Sequence, residues 1–241
     1  MNDAIGYLQG LAFCCIRPGV ALMLIPFAGN ESLGIILRVP LMLMIALLPQ
    51  QAGWPASPLT AFGVEALIGL TLGLLLSVTF HVVSAAGAML DMQRGYTAAV
   101  EYDPNFREEV SLLQTLFVWC ATLTFFTGPG LRAVYGFFAD AWALWPPGAP
   151  RPDTPRVMQE LAAQRLALAF AEGARLAMPL IGLMLLVDIA LGLMSRYVRR
   201  LNPFMTAPAV KGIVLSFAIV FCIPIIFARI NALFLTNTLL K

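Results

Sequence analysis

Three features of the sequence predict an all-α, polytopic helical membrane protein with broken helices and helical hairpins. Of 241 residues, 60% are hydrophobic and only 12% are charged, against about 25% charged in soluble domains. The apolar residues fall into six long blocks, and a helix needs about 20 of them to cross a bilayer core. Pro and Gly recur inside those blocks, where each tends to break or kink a helix. The whole chain, residues 1–241, reads as one domain without internal repeats.

The first block, Ile5 to Ala28, is interrupted at Arg17–Pro18–Gly19. The start "MNDAIGYLQG" has no Lys or Arg before Arg17, so it lacks the basic region of a cleavable signal, and the block is expected to be retained. The second block, Leu33 to Leu48, is interrupted by Arg38 and Pro40. The third, Leu59 to Leu90, is long enough to overshoot a bilayer. The fourth, Val110 to Trp145, breaks at "TGPG", Thr127 to Gly130. The fifth runs from Leu161 to Met194, and the sixth from Ala209 to Leu240. Pro224 near the middle of the sixth predicts either a kink or the turn of a hairpin of two short helices. "WPASP" (Trp54 to Pro58) and "WPPGAPRPDTP" (Trp145 to Pro155) read as linkers, the second opening a Pro-rich, hydrophilic segment over residues 146–160. "RYVRR", Arg196 to Arg200, is the strongest positive-inside signal and predicts a cytoplasmic face there.

Charged residues inside apolar blocks are the next signal. Arg17, Arg38, Glu65, Asp91, Arg132, Asp140, Arg165, Glu172, Arg175, Asp188, Lys211 and Arg229 all lie in or at the edge of a block. Each costs roughly 2.5–3.5 kcal/mol at a helix centre in lipid. Asp91, Arg165, Lys211 and Arg229 lie near block ends, from which a side chain can reach the headgroups. Arg17, Arg38, Glu65, Glu172, Arg175 and Asp188 lie deeper. Glu172 and Arg175 are three apart and can pair on one helix face. The rest need partners elsewhere, so these helices are expected to be covered by protein, part of it from other chains. On that reading Arg17, Arg38, Glu65, Glu172, Arg175, Asp188 and Lys211 serve subunit contacts. The competing reading is an ion or proton pathway through Glu65, Glu172 and Asp188.

Catalytic signatures are missing. There is one histidine, His81, so no HExxH pair exists. The sequence has no GxSxG elbow and no Gly-rich GK[ST] loop. Tyr102–Asp103 matches half of an intramembrane aspartyl protease, but the other half, GxGD, does not occur. Cys14, Cys15, Cys120 and Cys222 lie in apolar runs without metal-ligand spacing and read as packing residues. A net charge of +2 gives no argument for nucleic acid. Neither catalysis nor a cofactor is expected.

The most specific stretch is "MLDMQRGYTAAVEYDPNFREEV", Met89 to Val110, between the third and fourth blocks. "DMQRGYTAAVEYDP", then an apolar helix, "TFFTGPG" and "ALWP" resemble the SctT/FliR family, membrane subunits of the export apparatus of type III secretion systems and of the flagellum. The pattern is carried by Asp91, Gln93, Arg94, Gly95, Ala98, Asp103, Pro104, Phe125, Phe126, Gly128, Gly130, Trp145 and Pro146. Asn202, Pro208 and Lys211 match a later family stretch, with Pro203 departing from it. The Gln-Arg-Gly form is similar to the secretion (SctT) branch. The resemblance implies a subunit of a helical, multi-subunit export gate in the bacterial inner membrane, partly raised into a periplasmic-side assembly. Implied partners are SctR-type and SctS-type subunits, a SctU-type switch protein, unfolded secretion substrates in transit and the lipid membrane. The resemblance also implies a channel plug between the third and fourth blocks.

The residues of this stretch fit that role. Helix connections in bundles take two to eight residues, and this one spans 89–110. Gly95, Tyr96, Thr97, Ala98, Ala99, Val100 and Glu101 form a mostly small, weakly polar centre suited to a narrow space. Gly95 permits backbone angles closed to other residues, and Pro104 disfavours helix at Asp103. Asp91 with Arg94, and Glu101 with Arg107, can tether the loop by charge, with Gln93, Asp103 and Pro104 framing it. The expectation is a displaceable stopper.

Overall fold

A computed structural model describes residues 2–27, 31–49, 55, 57–95, 102–103, 108–109, 111–148, 155–197 and 203–235. The regular elements among the described residues are all helices except for one two-residue ladder. The first block forms α1 (Asn2–Cys14) and α2 (Ile16–Met23). Their break falls at Cys15, just ahead of the expected interruption, because Pro18 sits in the first turn of α2, where a missing N–H costs nothing. The second block forms α3 (Glu31–Ala46), which continues through Pro40.

The third block becomes α4 (Pro58–Arg94), with Pro58 at its start. Its 37 residues extend about 55 Å, well beyond a hydrocarbon core of about 30 Å. The fourth block divides at the expected place into α5 (Leu112–Thr127) and α6 (Gly130–Leu144), bent by 70°. The last two blocks form α7 (Pro155–Tyr197) and α8 (Pro203–Leu235). Each contains prolines without a break: Pro179 in α7, Pro208 and Pro224 in α8. The alternative of a hairpin at Pro224 is therefore corrected, since α8 is one helix. Prolines are tolerated this way in membrane helices because neighbouring groups satisfy the freed carbonyls. α7 and α8 themselves form an antiparallel hairpin, as the pairs Asp188–Lys211 and Glu172–Arg229 run in opposite senses along the two helices.

α4 is the central post, with α2, α5 and α7 packed along it. Glycines allow the closest approach. A Cβ at Gly73 would lie 2.6 Å from the Cα of Ala21, and one at Gly69 2.5 Å from the carbonyl oxygen of Arg17, so α2 lies directly on the α4 backbone. Further along, Phe27, Phe80, Phe125, Phe126 and Phe234 stack in one aromatic cluster joining α4, α5 and α8. Four helical stretches among the described residues are long and apolar enough to cross a membrane, or five with the bent α5–α6 pair as one span. The α4 window is 56% buried within the chain, but those of α7 and α8 only 28% and 22%. The hairpin therefore presents most of its apolar surface outward.

Candidate functional site: the root of the 89–110 loop and the buried ion pairs

The loop leaves α4 at Gly95, whose φ of 89° and ψ of 22° are left-handed, a conformation that favours glycine at a helix C-terminus. The Gly95 N–H closes the helix by donating to the carbonyl of Met92 at 3.1 Å. One turn earlier, Asp91 is only 3% exposed. Its Oδ2 accepts from the hydroxyl of Ser111 and from the backbone N–H groups of Leu113 at 2.8 Å and Gln114 at 3.3 Å. These are first-turn donors of α5, which have no partner inside their own helix. A carboxylate on α4 thus caps α5, and the chain returns to the point from which it left. Arg94 stands 3.4 Å from the other Asp91 oxygen, the expected i,i+3 pair.

A second tether holds the outgoing end. The Lys211 ammonium on α8 donates to the carbonyl of Gln93 at 3.0 Å and pairs with Asp188 of α7 at 2.7 Å. Gln93 contributes through its backbone. Between the two tethers, β1 (Tyr102–Asp103) pairs antiparallel with β2 (Glu108–Glu109). Asp103, ahead of Pro104, is extended as the proline demands. Tyr96, Thr97, Ala98, Ala99, Val100, Glu101, Pro104 and Arg107 lie outside the described residues.

Asp91 and Lys211 thus point inward rather than to the headgroups, as their block-end positions also allowed. The α4 terminus packs on the start of both α5 and α8, and unpaired helix ends there are satisfied by these charges. Arg229 is half exposed and 3.6 Å from Glu172. Of the Arg165 side chain nothing is described.

The deepest charge pair was expected to face other subunits. It closes within this chain instead. Arg17 is fully buried and Glu65 nearly so. Arg17 Nε and Nη2 donate to the two carboxylate oxygens at 2.7 and 3.0 Å, the bidentate geometry of a strong pair. Arg17 Nη1 donates to the carbonyls of Trp145 at 3.0 Å and Ala141 at 3.4 Å, and the guanidinium lies 5.5 Å from the Trp142 ring centre. The Gly148 N–H donates to Glu65 Oε1 at 3.2 Å. This network joins α2, α4 and the end of α6, and the Gly69 contact on Arg17 makes room for it.

Arg38 on α3 donates to the carbonyl of Ile25, beyond the end of α2, at 2.9 Å and lies 6.0 Å from the Phe27 ring centre. Glu172 and Arg175 pair as expected, and Arg229 joins them. Arg17, Glu65, Asp188 and Lys211 are thus matched inside the chain. Arg175 and Arg229 share one carboxylate among the described residues, and their side chains remain 63% and 50% exposed.

Sequence reasoning missed Ser111, Trp142 and Gly148. Ser111 had a readable signal: "SLLQ" ahead of an apolar run is a helix-capping pattern, although the capping oxygen comes from Asp91. Trp142 and Gly148 contribute through tertiary packing that no local pattern encodes.

Apolar helices carrying internally neutralised charges, broken at Gly–Pro and joined by a clamped loop, define a multi-pass helical membrane protein. Residues 8–236 match the sequence family described as bacterial export proteins, family 1, and the chain belongs to that family. It is 27% identical over 234 residues to the secretion system apparatus protein SsaT of Salmonella typhimurium, covering 90% of this chain and 88% of that protein. It is 25% identical over 207 residues to the Yop proteins translocation protein T of Yersinia pestis, covering 82% and 79%. The flagellar biosynthetic protein FliR of Pectobacterium carotovorum matches at 30% over 142 residues, covering 58% of this chain and 53% of that protein. The secretion relatives thus align along nearly the whole chain and the flagellar one along little more than half, which favours the SctT branch. The chain is a multi-pass inner-membrane protein with a role in bacterial protein export.

Proposed function

We propose that this protein is an export-gate subunit of a type III secretion system, and that the stretch from Gly95 to Glu101 plugs its channel at rest. It assembles with SctR-type and SctS-type subunits, and with a SctU-type switch protein, around a path for unfolded substrates. The observation that carries this reading is the double clamp on the 89–110 loop. Asp91 ties the returning strand to α4, and Lys211 ties the outgoing end to α8. A passive connection has no need of a buried carboxylate and a buried ammonium at its root. A stopper that must return to one place after each displacement does. The small residues between Gly95 and Glu101 suit a narrow channel.

Partner subunits also account for the outer surface. The α7–α8 hairpin exposes Phe170, Met178, Phe221 and Ile225 around Arg175 and Arg229. A shared carboxylate leaves the pair of guanidiniums with one surplus positive charge, which a carboxylate-bearing neighbouring helix neutralises. An ion- or proton-coupled transporter fits less well, because Glu65, Glu172 and Asp188 each already face a cation in this chain.

Purification from native membranes at natural abundance, followed by mass spectrometry, tests the assignment. SctR-type and SctS-type subunits should co-purify with this chain. Purification without them, together with pH-dependent ion flux by the chain alone in vesicles, supports the transporter and defeats the gate reading.

A further inference from the structure

We infer that Lys211 is a positioning residue for the plug, one that makes the root of the loop answer to the α7–α8 hairpin; its consequence for sealing rests on the plug reading above. Lys211 is buried, 8% exposed, and its ammonium bridges two groups. One is the Asp188 carboxylate on α7, at 2.7 Å. The other is the carbonyl of Gln93, two residues before the left-handed Gly95, at 3.0 Å. The last carbonyls of a helix lack intrahelical partners and carry the negative end of its dipole, so a cation there both satisfies and orients them.

The surrounding contacts make the bridge directional. Pro208, one turn before Lys211, stands where a Cβ on Gly95 would come within 3.4 Å. Gly212, next to Lys211, lies along the Arg94 side chain, with a Cβ there 3.7 Å from Arg94 Cδ. The end of α4 thus rests on the face of α8 that presents Pro208, Lys211 and Gly212. Beside it is an open surface groove of about 540 Å³ bordered by Arg94, Gly95, Ser216 and Phe217. That space lets the root shift sideways once the ammonium lets go. Asp91 holds the returning end to α4 itself, so it moves with α4. Lys211 belongs to the hairpin, so a displacement of α7 against α8 pulls on the outgoing end alone. Among the described stretches long enough to span a membrane, those of the hairpin are the least covered within the chain, which leaves them open to neighbouring subunits. Its position is therefore transmitted to the angle at which the plug leaves α4.

The test uses the complete, assembled secretion complex carrying Lys211→Met, Lys211→Arg, the exchange Asp188→Lys with Lys211→Asp, or the deletion of residues 95–101. Backbone hydrogen exchange of the last turn of α4 reads positioning directly, whether or not the loop is a plug. Lys211→Met should accelerate it by about tenfold or more, the loss expected for a charge-assisted hydrogen bond, while α5 exchange stays unchanged. Lys211→Arg should stay near wild type. The exchange variant keeps an ion pair but sets a carboxylate against the Gln93 carbonyl. It should assemble normally yet show the same fast exchange as Lys211→Met. Unchanged exchange in Lys211→Met, or protection restored by the charge exchange, overturns the inference. Uptake of a small dye separates this from the plug reading. A deletion that leaks beside a tight, assembled Lys211→Met variant leaves the plug standing and removes Lys211 from its control. A deletion that stays tight removes the plug, while the exchange rates still decide the positioning.

Discussion

Replacing Glu65 with Ala strips Arg17 of its carboxylate while leaving the guanidinium fully buried. Arg17 is 0% exposed, and two of its hydrogen bonds, at 2.7 and 3.0 Å, go to Glu65. Removing one member of a buried pair costs roughly 3–5 kcal/mol, because the other is left charged and unpaired. Arg17 keeps the carbonyls of Trp145 and Ala141 and the face of Trp142, so the lower end, about 3 kcal/mol, applies. For a chain of this size that is a fall in melting temperature of roughly 6–12 °C. The assay is thermal unfolding of the purified complex followed by tryptophan fluorescence, with recovered complex measured in parallel. The double variant Arg17→Met with Glu65→Leu removes both charges and fills the volume, so it should recover most of the loss. Substrate export by the double variant should persist. A Glu65→Ala complex that melts within a degree or two of wild type, or a double variant as damaged as the single one, refutes the keystone role of the pair. A double variant that assembles fully but exports nothing points instead to chemistry at Glu65.

Three further outcomes are expected. Gly73→Leu should destabilise the complex by about 1–3 kcal/mol through overpacking against α2, while Gly63→Ala, with nothing within 4 Å of its added Cβ, should not; comparison of the two melting curves decides this. Changing Cys14, Cys15, Cys120 and Cys222 together to Ala should leave secretion largely intact, with abolished secretion at normal protein levels as the contrary result. Expressed without partners, the chain should aggregate or be degraded, since α7 and α8 expose residues such as Phe221, 80% exposed, and Leu186, 64%; a long-lived monodisperse monomer in mild detergent contradicts this.

The helices were legible because they are written locally, in apolar length and in Pro–Gly punctuation. The break at Gly128–Pro129 and the long third block follow directly from that writing. Pro40, read as an interruption, and Pro224, read as a kink or the turn of a hairpin, both lie inside single helices, because whether a membrane helix breaks depends on neighbours that satisfy its freed carbonyls. Charges were legible as a problem but not as a solution. Glu172 and Arg175 are three residues apart and could be paired by inspection, whereas Arg17 meets Glu65 across 48 residues and Lys211 on α8 meets Asp188 on α7 across the hairpin. The loop was recognisable from its length and its Gln-Arg-Gly-to-Asp-Pro pattern. Its anchoring was half visible, since Asp91 with Arg94 is local, but the capping of α5 by Asp91 is tertiary.

The central claim is that Gly95 to Glu101 seals the resting channel, and the most direct measurement is small-dye or ion uptake by cells expressing the complete gate with and without those residues. The helices on either side carry their own apolar blocks, and Asp91 still caps α5 in the deletion, so assembly with partners should persist. The account predicts cells that become permeable to small solutes while still exporting some substrate. A deleted gate that assembles normally and stays as tight as wild type contradicts it, and leaves the 89–110 stretch a connecting loop.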